Sequence, residues 1–173
     1  MLGLKDGTVL VSDYDETWNI LFREEKERML KEMSGSGILV EHFGSTSIPG
    51  LCAKPIIDIL VGIENWDNAS AYVQPMERIG YTFKGEYGIP YRHFFVKGDP
   101  TTHHVHMVEI HGDLWKEQLL FRNYLRTHPA SRDHYADLKK ELARKYPNDR
   151  EKYLNAKADF IREIIGKAKE KME

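Results

Sequence analysis

Cysteine is nearly absent. Cys52 is the single cysteine among 173 residues, which excludes an internal disulfide and a cysteine-only metal site and makes a reducing compartment the simpler setting. Long apolar runs are missing as well. The longest, Ile56 to Ile63, is short and interrupted by Asp58, far below the ~20 residues of a membrane helix. Met1 to Ser12 carries Lys5 and Asp6 and no apolar stretch leading to a small-residue cleavage site, so it does not read as a signal peptide, and a cytoplasmic protein is expected. Charge of one sign is lacking too: 25 Lys and Arg stand against 27 Asp and Glu, a net charge of -2. No overall basic field invites nucleic acid or anionic lipid, and any polyanion site must be local. Neither GxxxxGK[ST] nor GxGxxG occurs, which removes the usual P-loop and dinucleotide fingerprints.

What remains is an ordinary globular composition, 41% hydrophobic, in a chain long enough to bury a sizeable core in one domain spanning residues 1–173. Trp18, Leu21, Phe22, Met29 and Met33 recur at helical spacing up to the break Ser34-Gly35-Ser36-Gly37. Ile38 to Phe43 and Pro55 to Val61 are short, rich in branched residues and bounded by turn formers, as buried strands are. Trp66, Ala69, Val73, Met76 and Ile79 outline a second helix that Pro75 is expected to end or kink. Tyr81-Thr82-Phe83, Tyr91 to Lys97 and Thr102 to Ile110 read as further strands, and everything after Gly112 as helix: Leu114 to Arg126, Ser131 to Tyr146, and Glu151 onward. The layout is an α+β sheet core with a C-terminal helical layer.

The chemistry concentrates in three places. Between the first two strands lies Gly44-Ser45-Thr46-Ser47-Ile48-Pro49-Gly50, where glycine permits close backbone approach and the hydroxyls could cradle a phosphate, or could equally form a plain polar turn. Asp58, in Lys54-Pro55-Ile56-Ile57-Asp58-Ile59, shares its strand face with Ile56 and Leu60. A carboxylate there would cost several kcal/mol if left unpaired. It therefore needs a cation, a metal ion or a proton, and Lys54 is the nearest cation along the chain. Five of the eight histidines fall between residues 93 and 111; His104 and His106 alternate along a strand, so their imidazoles project together, with Arg92 on the preceding strand able to add a positive charge. Lys139, Lys140 or Lys157 on the C-terminal helices could neutralise phosphate charge, but solvated helix faces are expected for them, as for most lysines.

Taken together, Tyr14-Asp15 with Trp18 and Phe22, His42-Phe43-Gly44-Ser45-Thr46-Ser47-Ile48-Pro49-Gly50-Leu51, Lys54-Pro55-Ile56-Ile57-Asp58-Ile59, His104-Val105-His106, Phe121-Arg122-Asn123-Tyr124-Leu125-Arg126 and Tyr135-Ala136-Asp137-Leu138-Lys139 closely resemble the GrpB family, whose members are similar to divergent nucleotidyltransferases. The resemblance runs from about Val11 to Ile165. It implies a nucleotidyltransferase-like mixed β-sheet flanked by helices, with Gly44, Ser45, Thr46, Ser47, Lys54 and Arg92 on the phosphates of a nucleoside triphosphate. It also implies Asp58 as catalytic carboxylate, and Asp58, His104 and His106 on one divalent metal ion, Mg, Mn or Zn. Some family members look like domains joined to coenzyme A biosynthesis kinases, which implies a nucleotide-like ligand. The superfamily's D-x-D pair is incomplete, since Ile56 and Leu60 occupy both positions where the second acid would stand. Two readings follow: a metal-dependent nucleotidyltransferase whose acceptor the sequence does not name, or a nucleotide- or metal-binding module of the same fold without transfer chemistry.

Overall fold

The computed structural model describes residues 1–33 and 37–172; the break expected at Ser34-Gly35-Ser36 lies outside them. Branched and aromatic residues bounded by turns build five strands, β1 (Leu39–Phe43), β2 (Ile57–Ile63), β3 (Thr82–Phe83), β4 (His93–Lys97) and β5 (His103–Glu109), in one sheet of order β1-β2-β5-β4-β3. Only the central pair, β2 and β5, runs parallel. Their register places Asp58 beside His104 and Leu60 beside His106, so these four side chains share one face.

The opposite face is the main core. Ile57, Ile59, Val61 and Ile63 of β2, with Val105 and Met107 of β5, pack against Trp18 and Met29 of α1 (Thr17–Glu32) and Met76 of α2 (Val73–Arg78). Burying each such side chain is worth about 1.5–3 kcal/mol. The single helix expected over Trp66 to Ile79 is a 3-10 stretch, Trp66–Tyr72, followed by α2. Pro75 falls in the first turn of α2 and neither ends nor kinks it, because an N–H there has no intrahelical partner to lose.

Three C-terminal helices, α3 (Asp113–Thr127), α4 (Pro129–Lys145) and α5 (Arg150–Glu170), form the second layer. At the far end of the functional face Trp115 lies directly on Gly62, where an added Cβ would come within 2.7 Å of its ring. At the near end Ile48 and Leu51, from the loop after β1, join Phe121, Leu125, Tyr135, Phe160 and Ile164 in a separate apolar cluster. That cluster ties the helical layer to the Gly44–Leu51 loop and holds α4 and α5 across from Asp58. No helix among the described residues is long and apolar enough to cross a membrane.

Candidate functional site

A cleft of about 480 Å³ opens between the sheet face and the helical layer. Its floor is Gly44, Ser45, Asp58, His104 and His106, and its walls carry Lys54, Arg92, Lys139, Arg150 and Lys157. Five cations surround one carboxylate.

Gly44 adopts φ 69 and ψ -173, a conformation open essentially to glycine alone, and a Cβ there would sit 2.8 Å from the Asp58 Oδ2 atom. The chain can thus turn sharply against the carboxylate into the 3-10 turn Ser45–Ser47. Of the three hydroxyls in that turn, Ser45 and Thr46 line the cleft. Ser47 does not: its hydroxyl donates to the Gly44 carbonyl at 2.6 Å and its own carbonyl accepts from Arg126, so it braces the turn from within. Thr46 is held from behind by His42, whose Nε2 lies 3.0 Å from its hydroxyl, while His42 Nδ1 faces the Asn19 side-chain oxygen at 3.3 Å and its ring stacks on Phe22. Asn19 donates in turn to the Tyr14 hydroxyl at 2.8 Å. Burial drives the His42 pKa down to about 3, against the pull of Asp58 and with the help of Arg126 and Arg122. A neutral ring that donates from Nδ1 and accepts at Nε2 fits both contacts. This chain from Tyr14 to Thr46 accounts for the aromatic and polar residues at the start of α1.

Asp58 finds the partner its burial demands in His104, with Nδ1 3.3 Å from Oδ1. Desolvation pushes the carboxyl upward, but the His104 hydrogen bond, followed by the electrostatic influence of His104, His106 and Lys54, outweighs it and holds the group below the ordinary carboxylate value. Lys54 lines the same cleft, and burial lowers its pKa in spite of Asp58. Arg92, buried, anchors to the carbonyls of Glu86 and Tyr87 and reaches His106 Nδ1 at 3.2 Å. His93 turns to the other face, against Trp66 and Phe83.

The Arg92 contact bears on metal binding. A guanidinium only donates, so His106 Nδ1 must accept, and the ring carries its hydrogen on Nε2. Burial, followed by the repulsion of Arg92 and His104, keeps the ring neutral, with a pKa near 3. Neither nitrogen of His106 then offers a lone pair to an ion, and among the described residues no three His, Cys, Asp or Glu side chains are grouped to hold one. The side chains as they stand do not fit an ion held by Asp58, His104 and His106 together.

The solvated faces expected for the lysines hold for Lys140, which is half exposed and ion-pairs with Asp13 at 3.4 Å. They fail for Lys139 and Lys157, which are 2% and 8% exposed. Lys139 donates to the Ser45 hydroxyl at 2.8 Å and to the Cys52 carbonyl, above the Tyr135 ring. Lys157 lies over the Tyr153 ring at 4.2 Å. Burial, together with the charge of Lys54, brings both down to about 7, and Lys139 adds to the repulsion on Lys157. A helical lysine one or two turns from an aromatic residue carries no sequence mark of burial, so only the docking of α4 and α5 over the cleft reveals them.

Comparison with known proteins agrees with this architecture. YqkA of Bacillus subtilis is 43% identical over 157 residues, covering 90% of this chain but only 46% of that protein, so the chain spans about half of this relative's length. The crystal structure of GrpB from Enterococcus faecalis superposes with a TM-score of 0.87 at 39% identity, over 95% of this chain and all of that one. The Cid1 poly(U) polymerase shares the fold at a TM-score of 0.56 and 11% identity, over 78% of this chain and 44% of the polymerase, which makes the α+β architecture nucleotidyltransferase-like. With the GrpB protein family profile matching residues 8–167, the chain belongs to the GrpB family.

Proposed function

We propose that the cleft binds a nucleoside triphosphate, with the phosphates over Gly44 and Ser45, and that the bound nucleotide is the donor in transfer of a nucleotidyl group to an acceptor. The observation that carries this is the basic lining of the cleft: Lys54, Arg92, Arg150 and the two buried amines of Lys139 and Lys157, against Asp58 as the one carboxylate lining it among the described residues. Crowding cations in a half-enclosed space costs folding free energy unless an anion of high charge density repays it on binding. A triphosphate has that density, and the volume of about 480 Å³ accommodates a nucleotide-sized molecule. The shared fold points the same way, since Cid1 is described with MgATP and MgGTP bound. His106 Nε2–H and the Ser45 hydroxyl would donate to phosphate oxygens. Asp58, the one carboxylate lining the cleft, would hold a Mg or Mn ion brought in on those phosphates, and such an ion supplies charge neutralisation at the phosphoryl oxygens.

The second reading, a binding module without transfer chemistry, is favoured by one feature. Ile56 and Leu60 stand where a second acid would complete a two-metal site.

Thermal unfolding of metal-stripped protein against ATP, GTP, CTP, UTP and coenzyme A precursors, each with Mg, Mn or Zn, tests the proposal. A ligand at ~100 times its Kd adds about 2.7 kcal/mol, several degrees at this chain length. A shift requiring nucleotide supports the site. A shift from metal alone, with none from any nucleotide, overturns it. Pyrophosphate release that is lost in Asp58→Asn separates transferase from module.

A further inference from the structure

Resting on the triphosphate site proposed above, we infer that Ser45 is a nucleophile and Lys139 its general base, so that the chain nucleotidylates its own Ser45 before passing the group to an acceptor. The geometry is specific. Lys139 reaches from α4 across the layer boundary to place Nζ 2.8 Å from the Ser45 hydroxyl, and a second contact to the Cys52 carbonyl fixes it there. Its hydrogen-bond partners are a hydroxyl and a carbonyl and no carboxylate, so on losing its proton the amine can keep donating to Cys52 while its lone pair turns to the Ser45 hydroxyl. Tyr135, one turn earlier on α4, lies under Nζ at 4.6 Å and interacts with Ser45 as well. Ser45 is thus held at the cleft floor between a phenol and an amine, next to the phosphates. A serine serving only to bind phosphate would need neither.

Burial lowers the Lys139 pKa to about 7, with Lys54 adding to the effect and Cys52 and Asp58 opposing it. The amine is therefore substantially uncharged at neutral pH. The groups facing it are Tyr135 on its own helix, Cys52 and Lys54 from the segment leading into β2, Asp58 of β2, and Lys157 from α5. The remaining cations, Lys54, Arg92 and Arg150, stay available to the phosphates, and Lys157 can take up a proton beside them.

In the first half-reaction the Ser45 Oγ–Pα bond forms, the bond from Pα to the oxygen bridging to the β-phosphorus breaks, pyrophosphate leaves, and the Ser45 proton passes to Lys139 Nζ. In the second, the acceptor oxygen or nitrogen attacks the same phosphorus, Ser45 Oγ leaves and recovers its proton from Lys139, and the acceptor's proton goes to solvent. A covalent intermediate splits one difficult displacement into two, which suits a site lacking the second carboxylate of a metal pair.

Two measurements on the full chain without acceptor test this, both with Mg present. Radiolabelled pyrophosphate should exchange into the nucleoside triphosphate, and intact mass should rise by one nucleoside monophosphate that peptide mapping assigns to Ser45. Ser45→Ala should abolish both, and Lys139→Met should reduce exchange at least 100-fold. Because Lys139 is buried, mapping of the wild-type adduct decides the matter even where that variant fails to fold. If nucleotide raises the melting temperature of the wild type yet neither exchange nor adduct forms with any of the four, Ser45 only binds, and the inference falls while the nucleotide site stands. An adduct on another residue also overturns it. Absence of any nucleotide-induced shift overturns both.

Discussion

Lys157→Met should make the empty protein more stable at neutral pH. Lys157 is 8% exposed, rests on the Tyr153 ring, and among the described residues has no carboxylate at ion-pair distance. Burial lowers its pKa from 10.5 to about 7, with repulsion from Lys54 and Lys139 adding to it. At 1.36 kcal/mol per unit the charged amine costs the fold up to about 5 kcal/mol. The sign follows from proton binding: between pH 7 and 10.5 the unfolded chain holds this proton and the folded chain does not, so stability rises with pH. The cost is complete below about pH 7 and gone above about 10.5. Methionine keeps the length of the stem, removes the charge and makes a favourable sulfur contact with the ring. Urea unfolding at pH 7 should show a gain of at least ~1 kcal/mol, or roughly 2–4 °C in a parallel thermal melt. At pH 10 the gain should shrink to less than about 1 kcal/mol, because the pH is then close to the unfolded-state pKa and little of the proton-binding difference between the two states remains. The same variant should bind inorganic triphosphate at least 10-fold more weakly, since a cation facing the cleft is lost. A fall in stability at pH 7, or a gain that persists undiminished at pH 10, would refute the view that this lysine is strained in the empty cleft.

Gly44→Ala should cost about 2–3 kcal/mol in urea unfolding, from a backbone conformation closed to alanine and a Cβ driven against Asp58, 2.8 Å away; a loss below ~0.5 kcal/mol would show that the turn relaxes freely. Asp58→Asn should leave the affinity for metal-free triphosphate unchanged or tighter, because the cleft loses its one carboxylate among the described residues, while nucleotide turnover with Mg falls by at least 100-fold; tighter binding with full turnover would remove Asp58 from the chemistry. Acid should destabilise the protein well before its carboxylates titrate. His42 and His106 fold with pKa values near 3 against 6.5 unfolded, so the unfolded state binds more protons as pH falls from 6.5 to 3 and stability drops by about 1 kcal/mol per unit for the buried His42 ring and by less for the part-exposed His106. His106→Gln should flatten part of that slope, and an urea midpoint unchanged between pH 6.5 and 4.5 would contradict it.

The face carrying Asp58, His104 and His106 was legible because period-2 alternation in a strand is a local property: once Ile57–Ile63 and His103–Glu109 are strands, their even-numbered side chains must point one way. Pairing Asp58 with His104 needed more, since nothing along the chain sets strand order or the parallel register of β2 and β5. The same distinction explains the misjudged lysines. Lys139, Lys140 and Lys157 are alike as sequence, each a lysine on an amphipathic helix. Two are buried and one solvated only because Ile48 and Leu51 draw α4 and α5 over the cleft. Arg92 was expected to bring positive charge to the site; that it takes the His106 nitrogen a metal would need depends on the turn at Glu86 and Tyr87 that anchors it. The sequence alone therefore determined the elements, the Gly44-Ser45 turn, the lone carboxylate and the family. The tertiary structure decided which cations face the cleft, which are strained by burial, and which hydroxyl meets an amine, because burial and charge proximity arise from contacts between segments up to about 100 residues apart, and no local pattern encodes them.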